Sequence, residues 1–438
     1  MRCNQWPHLR LGAVASVKGG KRLPKGELLK TEATPHPYIR VRDIGPNRRL
    51  SVNDGFEYVS RAVQQQIQRY TVRAGDVIIS IVGSIGLLAV IDLSLDGANL
   101  TENCAKIVDL DSVDGDFLYY YLSSDLGQDE IRKRTVGAVQ AKLPLKNIAD
   151  IPIPCPPLPE QRAIAAMLSC LDDKIELNNR MNKTLEEMAQ ALFKSWFVDF
   201  DPVKAKMEGR EPTGMDAETA ALFPDEFEDS ELGPIPKGWR VDTLGSVVSV
   251  NAQSLSKDFP HEMIYYVDIN SVSEGSCTWP ELAPLHTAPS RARRLVRDGD
   301  TIWSMVRPNR RAFLYVCEPD ERVVVSTGFA VLSPELVPSS FLHSHVTMSE
   351  FSDYLASNAD GSAYPAVRPG HFEGARLVLP TDSVLSSFDM LVGPIRRRIH
   401  RNQQENANLS SLRDTLLPKL MSGEIRVPEA EDILEEVL

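Results

Sequence analysis

Two runs of cations stand out in a chain whose net charge is −12. Residues 16–49 hold nine Lys/Arg against three Asp/Glu, and residues 291–311 hold seven against two. Grouped guanidinium and ammonium side chains bind phosphate oxygens, Arg as a two-pronged donor and Lys as a point charge. Local charge, not the total, decides what a surface attracts. The balancing acid lies elsewhere: residues 199–231 hold eleven acids against three bases, and the stretch from Glu424 onward six against one. A solvated loop is the alternative for either run taken alone.

Other chemistry is hard to find. Lys18-Gly19-Gly20-Lys21 is a basic turn, not a phosphate loop, and Gly83-Ser84-Ile85-Gly86 reads as a hairpin turn. His343 and His345 are two apart in a run expected to alternate faces, which argues against a metal site. Asp172 and Lys174 have a nuclease-like spacing, but they fall on a long helix with no acidic partner before them and read as solvated charges. Asp76 and Asp300 sit in Gly-Asp turns, where a carboxylate has a local hydrogen-bonding role. The six cysteines at 3, 104, 155, 170, 277 and 317 form no CxxC pair, so neither a zinc site nor a disulfide framework is expected. No apolar run reaches membrane-span length and the start MRCNQWPHLRLG has no apolar core of a secretory signal, so a cytoplasmic protein is expected. The chain is therefore not expected to be an enzyme by itself, and no cofactor is expected on it.

The elements that position the cations occur twice. GAVQAKLPLKNIADIPIPCPPLPEQ (137–161) aligns with GSAYPAVRPGHFEGARLVLPT (361–381) at an offset of 224. Arg73-Ala74-Gly75-Asp76-Val77-Ile78 meets Arg297-Asp298-Gly299-Asp300-Thr301-Ile302 at the same offset. Near the start the offset is 233, where Trp6, Leu11 and Gly12 meet Trp239, Leu244 and Gly245. The first copy thus carries nine extra residues, expected in a loop between 18 and 69. Each copy begins with a strand-rich part, mixed α/β and mainly antiparallel, in which 114–134 reads as helical.

Each copy ends in a long helix. From Glu160 to Lys194 there is no Pro or Gly. Ile164, Leu168, Leu171, Ile175, Asn178, Asn182, Leu185, Ala189 and Leu192 recur at alternating spacings of four and three, the seam of a coiled coil. Adding 224 gives Phe388, Val392, Ile395, Ile399, Asn402, Asn406, Leu409, Arg413 and Leu416. The Asn pair recurs at the same two seam positions, where polar residues fix register and partner choice. Pro394 predicts a kink or a start near that point. Arg396-Arg397-Arg398 is expected to face solvent, phosphate or an acidic partner. Helices of this length span on the order of 50 Å. Paired antiparallel, they would hold two similar modules apart about a pseudo-twofold axis, a separation suited to DNA grooves that recur about every 34 Å. The fold class expected is α+β: two similar mixed α/β domains separated by an antiparallel two-helix coiled coil.

PIPCPPLPEQRAIAAMLSCLDDKIELNNRMNKTLEEMAQALFKSWFVDFDPVKAKMEG (152–209), ALFPDEFEDSELGPIPKGW (221–239) and NQQENANLSSLRDTLLPKLMSGEIRV (402–427) resemble specificity subunits of type I restriction–modification enzymes. The resemblance implies a first target-recognition domain at 1–157, a central helix at 158–200, an acidic connection at 201–236, a second target-recognition domain at 237–380, a distal helix at 381–424 and an acidic tail at 425–438. It also implies a non-catalytic subunit whose two domains each read half of a split double-stranded DNA site. Two methyltransferase subunits, and possibly restriction subunits, would dock on it and use S-adenosylmethionine, ATP and magnesium. Pro380-Thr381-Asp382-Ser383 departs from the Pro156-Pro157-Leu158-Pro159 of the first copy. A free-standing bipartite DNA-binding scaffold without catalytic partners is the alternative.

Contacts to DNA are then expected from Lys18, Lys21, Arg22, Lys25, Arg42, Arg48 and Arg49, with Gln140 and Lys142 of the recurrent Gly-loop. In the second domain they are expected from Arg291, Arg293, Arg294, Arg307, Asn309, Arg310, Arg311 and Arg368.

Overall fold

The computed structural model of the chain describes residues 6–53, 55–137, 140–361 and 364–437. Cys3, with the rest of the first five residues, and positions 138, 139, 362 and 363 of the recurrent stretch lie outside them. The chain divides into two units, residues 1–179 with 404–438, and residues 180–403. The first long helix, Leu158–Phe197, and the second, Asp382–Ser422, each contribute to both units.

In the first unit the β-branched strand Val77–Ser80 is wholly buried and lies at the centre of a five-stranded sheet. Its order is Ser16–Gly19, Cys104–Val108, Val77–Ser80, Leu88–Ile91, Arg49–Leu50. Gly83 and Gly86 take positive φ in the turn that joins Val77–Ser80 to Leu88–Ile91, a conformation that suits glycine. A smaller sheet orders Glu57–Tyr58, Pro37–Ile39 and Asn99–Leu100, with Tyr38 beside Asn99 in parallel. In place of one helix at 114–134 there are two, Gly115–Ser123 and Asp125–Arg134. Ser124 separates them, because its hydroxyl accepts from Gly127 N and caps the second.

The second unit repeats this plan. One sheet orders Val248–Val250, Phe329–Pro334, Thr301–Ser304 and Phe313–Tyr315. The other orders Leu282–Pro284, Met263–Val267, Val323–Ser326 and Ala292–Leu295, with Tyr265 beside Val323 in parallel. The duplication is visible bond by bond. Leu11 N donates to Ile151 O at 2.8 Å, and Leu244 N to Ala375 O at 2.7 Å. Arg10 faces Pro152 across one strand pair, and Thr243 faces Arg376 across the other. A Cβ on Gly12 would stand 2.9 Å from Ala149 Cβ, and one on Gly245 3.0 Å from Glu373 Cβ. Both glycines are thus set by the close passage of a second segment, not by φ. The Gly-Asp turns repeat as well: Asp76 accepts from Arg73 N and Asp300 from Arg297 N, each at 2.9 Å.

Each helix buries its apolar face in the unit it serves. In the first unit Ile164, Leu168 and Leu171 share a core with Leu412, Leu416 and Leu420. Partners run in opposite senses there: Glu160 with Arg426, Asp172 with Arg413, Asn178 with Asn406. In the second unit Ala189, Phe193, Trp196 and Phe197 pack with Val384, Phe388 and Val392, and Asn182 pairs with Asn402. Pro394 neither starts nor ends the second helix, which begins at Asp382 and runs on to Ser422. The missing N–H is outweighed by burial on both sides of it, Phe388 and Val392 before and Arg396 after.

The acidic connection and the acidic tail both carry apolar anchors. The connection forms the helices Asp201–Met207 and Ala217–Ala221 and the hairpin Phe227–Ser230/Gly233–Pro236, with Val203, Phe223 and Ile235 in the core of the second unit. The acidic tail is the helix Val427–Val437, whose Val427 and Ala430 lie in the core of the first unit.

Candidate nucleic-acid interface

The recurrent Gly-loop is a closed main-chain device. In the first unit Val136 and Lys142 exchange both backbone hydrogen bonds at 2.9 Å, and Leu143 N donates to Ile81 O at 3.0 Å. In the second, Asp360 and Ala366 exchange both at 2.9 Å, and Val367 N donates to Met305 O at 2.8 Å. Every one of these residues is matched at offset 224. Gly137 has φ 99° and Gly361 φ 92°, and a Cβ on Gly137 would stand 2.5 Å from Gln140 O. Only glycine serves there. The tip presents Gln140 in one unit and Tyr364 in the other, the tyrosine 70% exposed.

Beside each loop lies a hairpin turn, and here the units differ. The Gly83–Gly86 turn of the first unit corresponds to Arg307-Pro308-Asn309-Arg310 in the second. Arg307 and Arg311 hold φ of 51° and 52°, left-handed conformations that non-glycine residues adopt at a cost of roughly 1–3 kcal/mol. Arg307 N donates to Pro365 O at 2.7 Å, which pins the turn to the Gly-loop, and its guanidinium lies 4.7 Å from the centre of the Tyr364 ring. Cation, amide and aromatic face are thus brought together: Arg307, Asn309, Arg310 and Tyr364. Such a set offers phosphate contacts, base-edge hydrogen bonds and a stacking face. Tyr364 escaped a search for Arg, Lys, Gln and Asn, although its alignment with Gln140 marked it.

The other expected contacts fall in several places. Lys18 pairs with Asp109 at 2.6 Å and Arg22 with Glu102 at 2.6 Å, both in exposed geometry. Lys21 lies 5.8 Å from the Tyr70 ring centre, and Lys25 is exposed. Gly20, between Lys18 and Lys21, passes over a strand end: its Cβ would stand 2.0 Å from Thr101 O. Arg42 reaches Glu57 at 3.0 Å, and Arg49 reaches Asp116 at 3.3 Å. Lys142 is exposed. In the second unit Arg291, Arg293, Asn309, Arg310 and Arg368 are exposed, and Arg294 donates to Ser254 Oγ at 3.2 Å. Arg311 is half-buried, donating to Glu274 at 2.6 Å and to Thr347 O at 2.8 Å.

Arg48 must be withdrawn from the phosphate set. It is 6% exposed and bonded to Asp116 and, at 2.8 Å, to Asp173. A buried cation held by two carboxylates joins elements of the fold. Two further readings, those of Asp172 and Arg396, change for a related reason, while Lys174 stays part-exposed. Asp172 is not solvated, since it accepts from Tyr120 Oη at 2.6 Å and Arg413 at 2.7 Å. Lys174 pairs with Glu405 at 3.3 Å. Arg396 does not face solvent; it is 3% exposed and bonded to Glu186. His343 and His345 share the helix Ser339–Val346, not a strand. His343 meets Thr301 Oγ1 at 3.1 Å, and His345 stacks on Phe341. Burial pushes both imidazoles down, His345 to about 4. Among the described residues no three His, Cys, Asp or Glu side chains are placed to hold a metal ion, and no helix is long and apolar enough to cross a membrane.

Of the seam positions, Ile164, Leu168, Leu171, Asn178, Val392, Asn402, Leu409 and Leu416 are buried. Ile175, Asn182, Leu185, Leu192, Ile395, Ile399 and Asn406 are half-buried.

Residues 4–187 match the family model for the type I restriction modification DNA specificity domain. The specificity subunit of type I restriction enzyme MjaIX from Methanocaldococcus jannaschii is 23% identical over 439 residues, covering 97% of this chain and 94% of its own. The HindI specificity subunit from Haemophilus influenzae is 26% identical over 341 residues, covering 64% and 70%. The crystal structure of the type I restriction–modification S subunit from M. genitalium aligns with a TM-score of 0.57 over 95% of this chain and 96% of that one, at 16% identity, a likeness of fold. The first part of the chain is thus a DNA specificity domain. Along nearly its whole length the chain is similar to specificity subunits of type I restriction enzymes.

Proposed function

We propose that this chain is the non-catalytic DNA sequence-specificity subunit of a type I restriction–modification complex in the cytoplasm. Domains at 1–157 and 237–380 each read one half of a split double-stranded site. The helices at 158–200 and 381–424, paired as an antiparallel coiled coil about a pseudo-twofold axis, set the gap between halves and receive two methyltransferase subunits. Restriction subunits join the same assembly. The segment 201–236 is the acidic connection between the domains, and 425–438 is an acidic tail after the distal helix. The observation that carries this reading is the Gly-loop closed by the same main-chain bonds in both units, with Gln140 at one tip and Tyr364 with Arg307 at the other.

Mapping methylated adenines in a host that carries the system gives both half-sites and their gap. Arg293→Glu with Arg310→Glu, two exposed side chains of the second unit, is then assayed against DNAs with either half scrambled. Binding is expected to lose its dependence on one half only and to show a shallower salt slope. Equal loss for both halves rejects modular reading. Inserting four residues into both long helices is expected to move the preferred gap and leave both half-sequences unchanged.

A further inference from the structure

Positions 224 apart on the two long helices carry opposite charge where they are most enclosed. Asp172 on the first helix accepts from the Tyr120 hydroxyl and from Arg413. Its equivalent on the second helix is Arg396, which bonds Glu186 and lies 3.4 Å from the Ser344 hydroxyl. Ser344 is in turn the equivalent of Tyr120. A long tyrosine over a short aspartate in one unit becomes a short serine over a long arginine in the other. The neighbouring helix has therefore adapted to each charge in both size and donor sense.

The asparagine bonds behave differently. Asn178 donates to Asn406 at 2.9 Å in one unit, and Asn402 donates to Asn182 at 2.7 Å in the other. Each is the other's image under the 224-residue equivalence. If the first helix paired with another copy of itself in this register, Asn178 would meet Asn182, and the bond would survive. The second helix paired with its own copy would set Asn402 against Asn406 and keep it too. Register is thus encoded without regard to partner.

The ion pairs would not survive. In a pairing of first helix with first helix, Asp172 of one copy takes the place of Arg396, so Glu186 faces a carboxylate, twice by symmetry. In a pairing of second with second, Arg396 takes the place of Asp172, so Arg413 faces a guanidinium, again twice. Side-chain exposure is 3% for Arg396 and 14% for Asp172, against 38% for Glu186 and 28% for Arg413, so one member of each pair is largely shielded from solvent. The exposed Lys174–Glu405 pair weighs little beside them; its equivalents are Lys174–Met181 and Arg398–Glu405. We propose that these faces form a two-part code: the asparagines set register, while Asp172, Glu186, Arg396 and Arg413 make the first helix select the second and reject a second copy of itself. Repulsion built against the wrong partner is what such selectivity requires.

The test reads mass by light scattering on the intact chain over a range of concentrations. The unaltered chain is expected at its single-chain mass of 48.7 kDa throughout. Glu186→Arg sets like charges against each other within one chain and opposite charges against Asp172 of a second. It is expected to double in mass as concentration rises. Adding Arg396→Glu restores the internal pair, and the doubling is lost because internal pairing enjoys an effective concentration on the order of millimolar. Asp172→Arg asks the same from the other end, should the first variant lose its helical circular dichroism. As a control independent of these variants, the unaltered chain is cut in the connection at Gly209–Gly214, unfolded in urea and refolded. Native mass spectrometry is expected to find unlike fragments paired. Two-chain mass in the unaltered protein, folded variants that stay at single-chain mass, or refolded fragments lacking the unlike pair or containing like pairs would each overturn the proposal.

Discussion

Asn178 gives its side-chain amide to Asn406 Oδ1 at 2.9 Å, although the two residues are 228 positions apart in the chain. The same Asn178 nitrogen also lies 2.9 Å from Glu405, and Asn406 donates onward to Asn179 at 2.8 Å. This short relay is the polar centre of the helix pairing in the first unit. Apolar side chains slide past one another with little penalty, but a buried amide must find its partner. The relay therefore fixes which turn of one helix faces which turn of the other.

Asn406→Ala removes an acceptor from a buried amide that keeps Glu405. Its expected cost is about 1 kcal/mol in urea unfolding of the intact chain. A double-mutant cycle with Asn178→Ala is expected to show coupling of similar size. Additivity of the two substitutions would remove the relay from the account of register.

Gly20→Ala tests the passage between Lys18 and Lys21. A Cβ placed 2.0 Å from Thr101 O and 2.4 Å from Leu100 O forces the backbone aside. The hydrogen bonds from Gly20 N to Cys104 O and from Lys21 N to Leu100 O go with it. Destabilisation of at least ~2 kcal/mol is expected, with protease cleavage appearing first in the segment 21–37. Gly45→Ala, a loop position with open space around it and no positive φ, should cost less than Gly20→Ala by the same assay.

The two buried imidazoles set a pH dependence. Their folded values lie below the ordinary histidine range, so the unfolded chain binds protons first as pH falls. Stability from His345 is full above about 6.5 and is lost as pH drops toward about 4, at up to ~1.4 kcal/mol per pH unit. His343, which also faces the Arg396 guanidinium, contributes in the same direction. The midpoint of thermal unfolding is therefore expected to fall between pH 7 and pH 5, and His345→Phe to flatten that fall. An unchanged slope in the variant would assign the acid sensitivity to other groups.

What the sequence disclosed was what is local or repeated. The 224-residue offset, the Gly-Asp turns at Asp76 and Asp300 and the long apolar seam all follow from short-range rules, and each has its counterpart in the structure. The fate of individual charges did not show. Arg48, Asp172 and Arg396 looked like their solvated neighbours, because the groups that bury and neutralise them lie from 52 to 241 positions away. Pro394 misled for a related reason: a local rule against helix was overruled by the packing of Phe388 and Val392. Tyr364 was missed because a hunt for hydrogen-bonding side chains passes over an aromatic ring.

The Gly-loops are closed by peptide groups alone, so their frame does not depend on what their tips display. Gln140 and Lys142 in one unit stand where Tyr364 and Ala366 stand in the other, over the same bonds. The side chains at the two tips can thus change without any change in the bonds beneath them, and the two units of one chain are free to diverge in what they present.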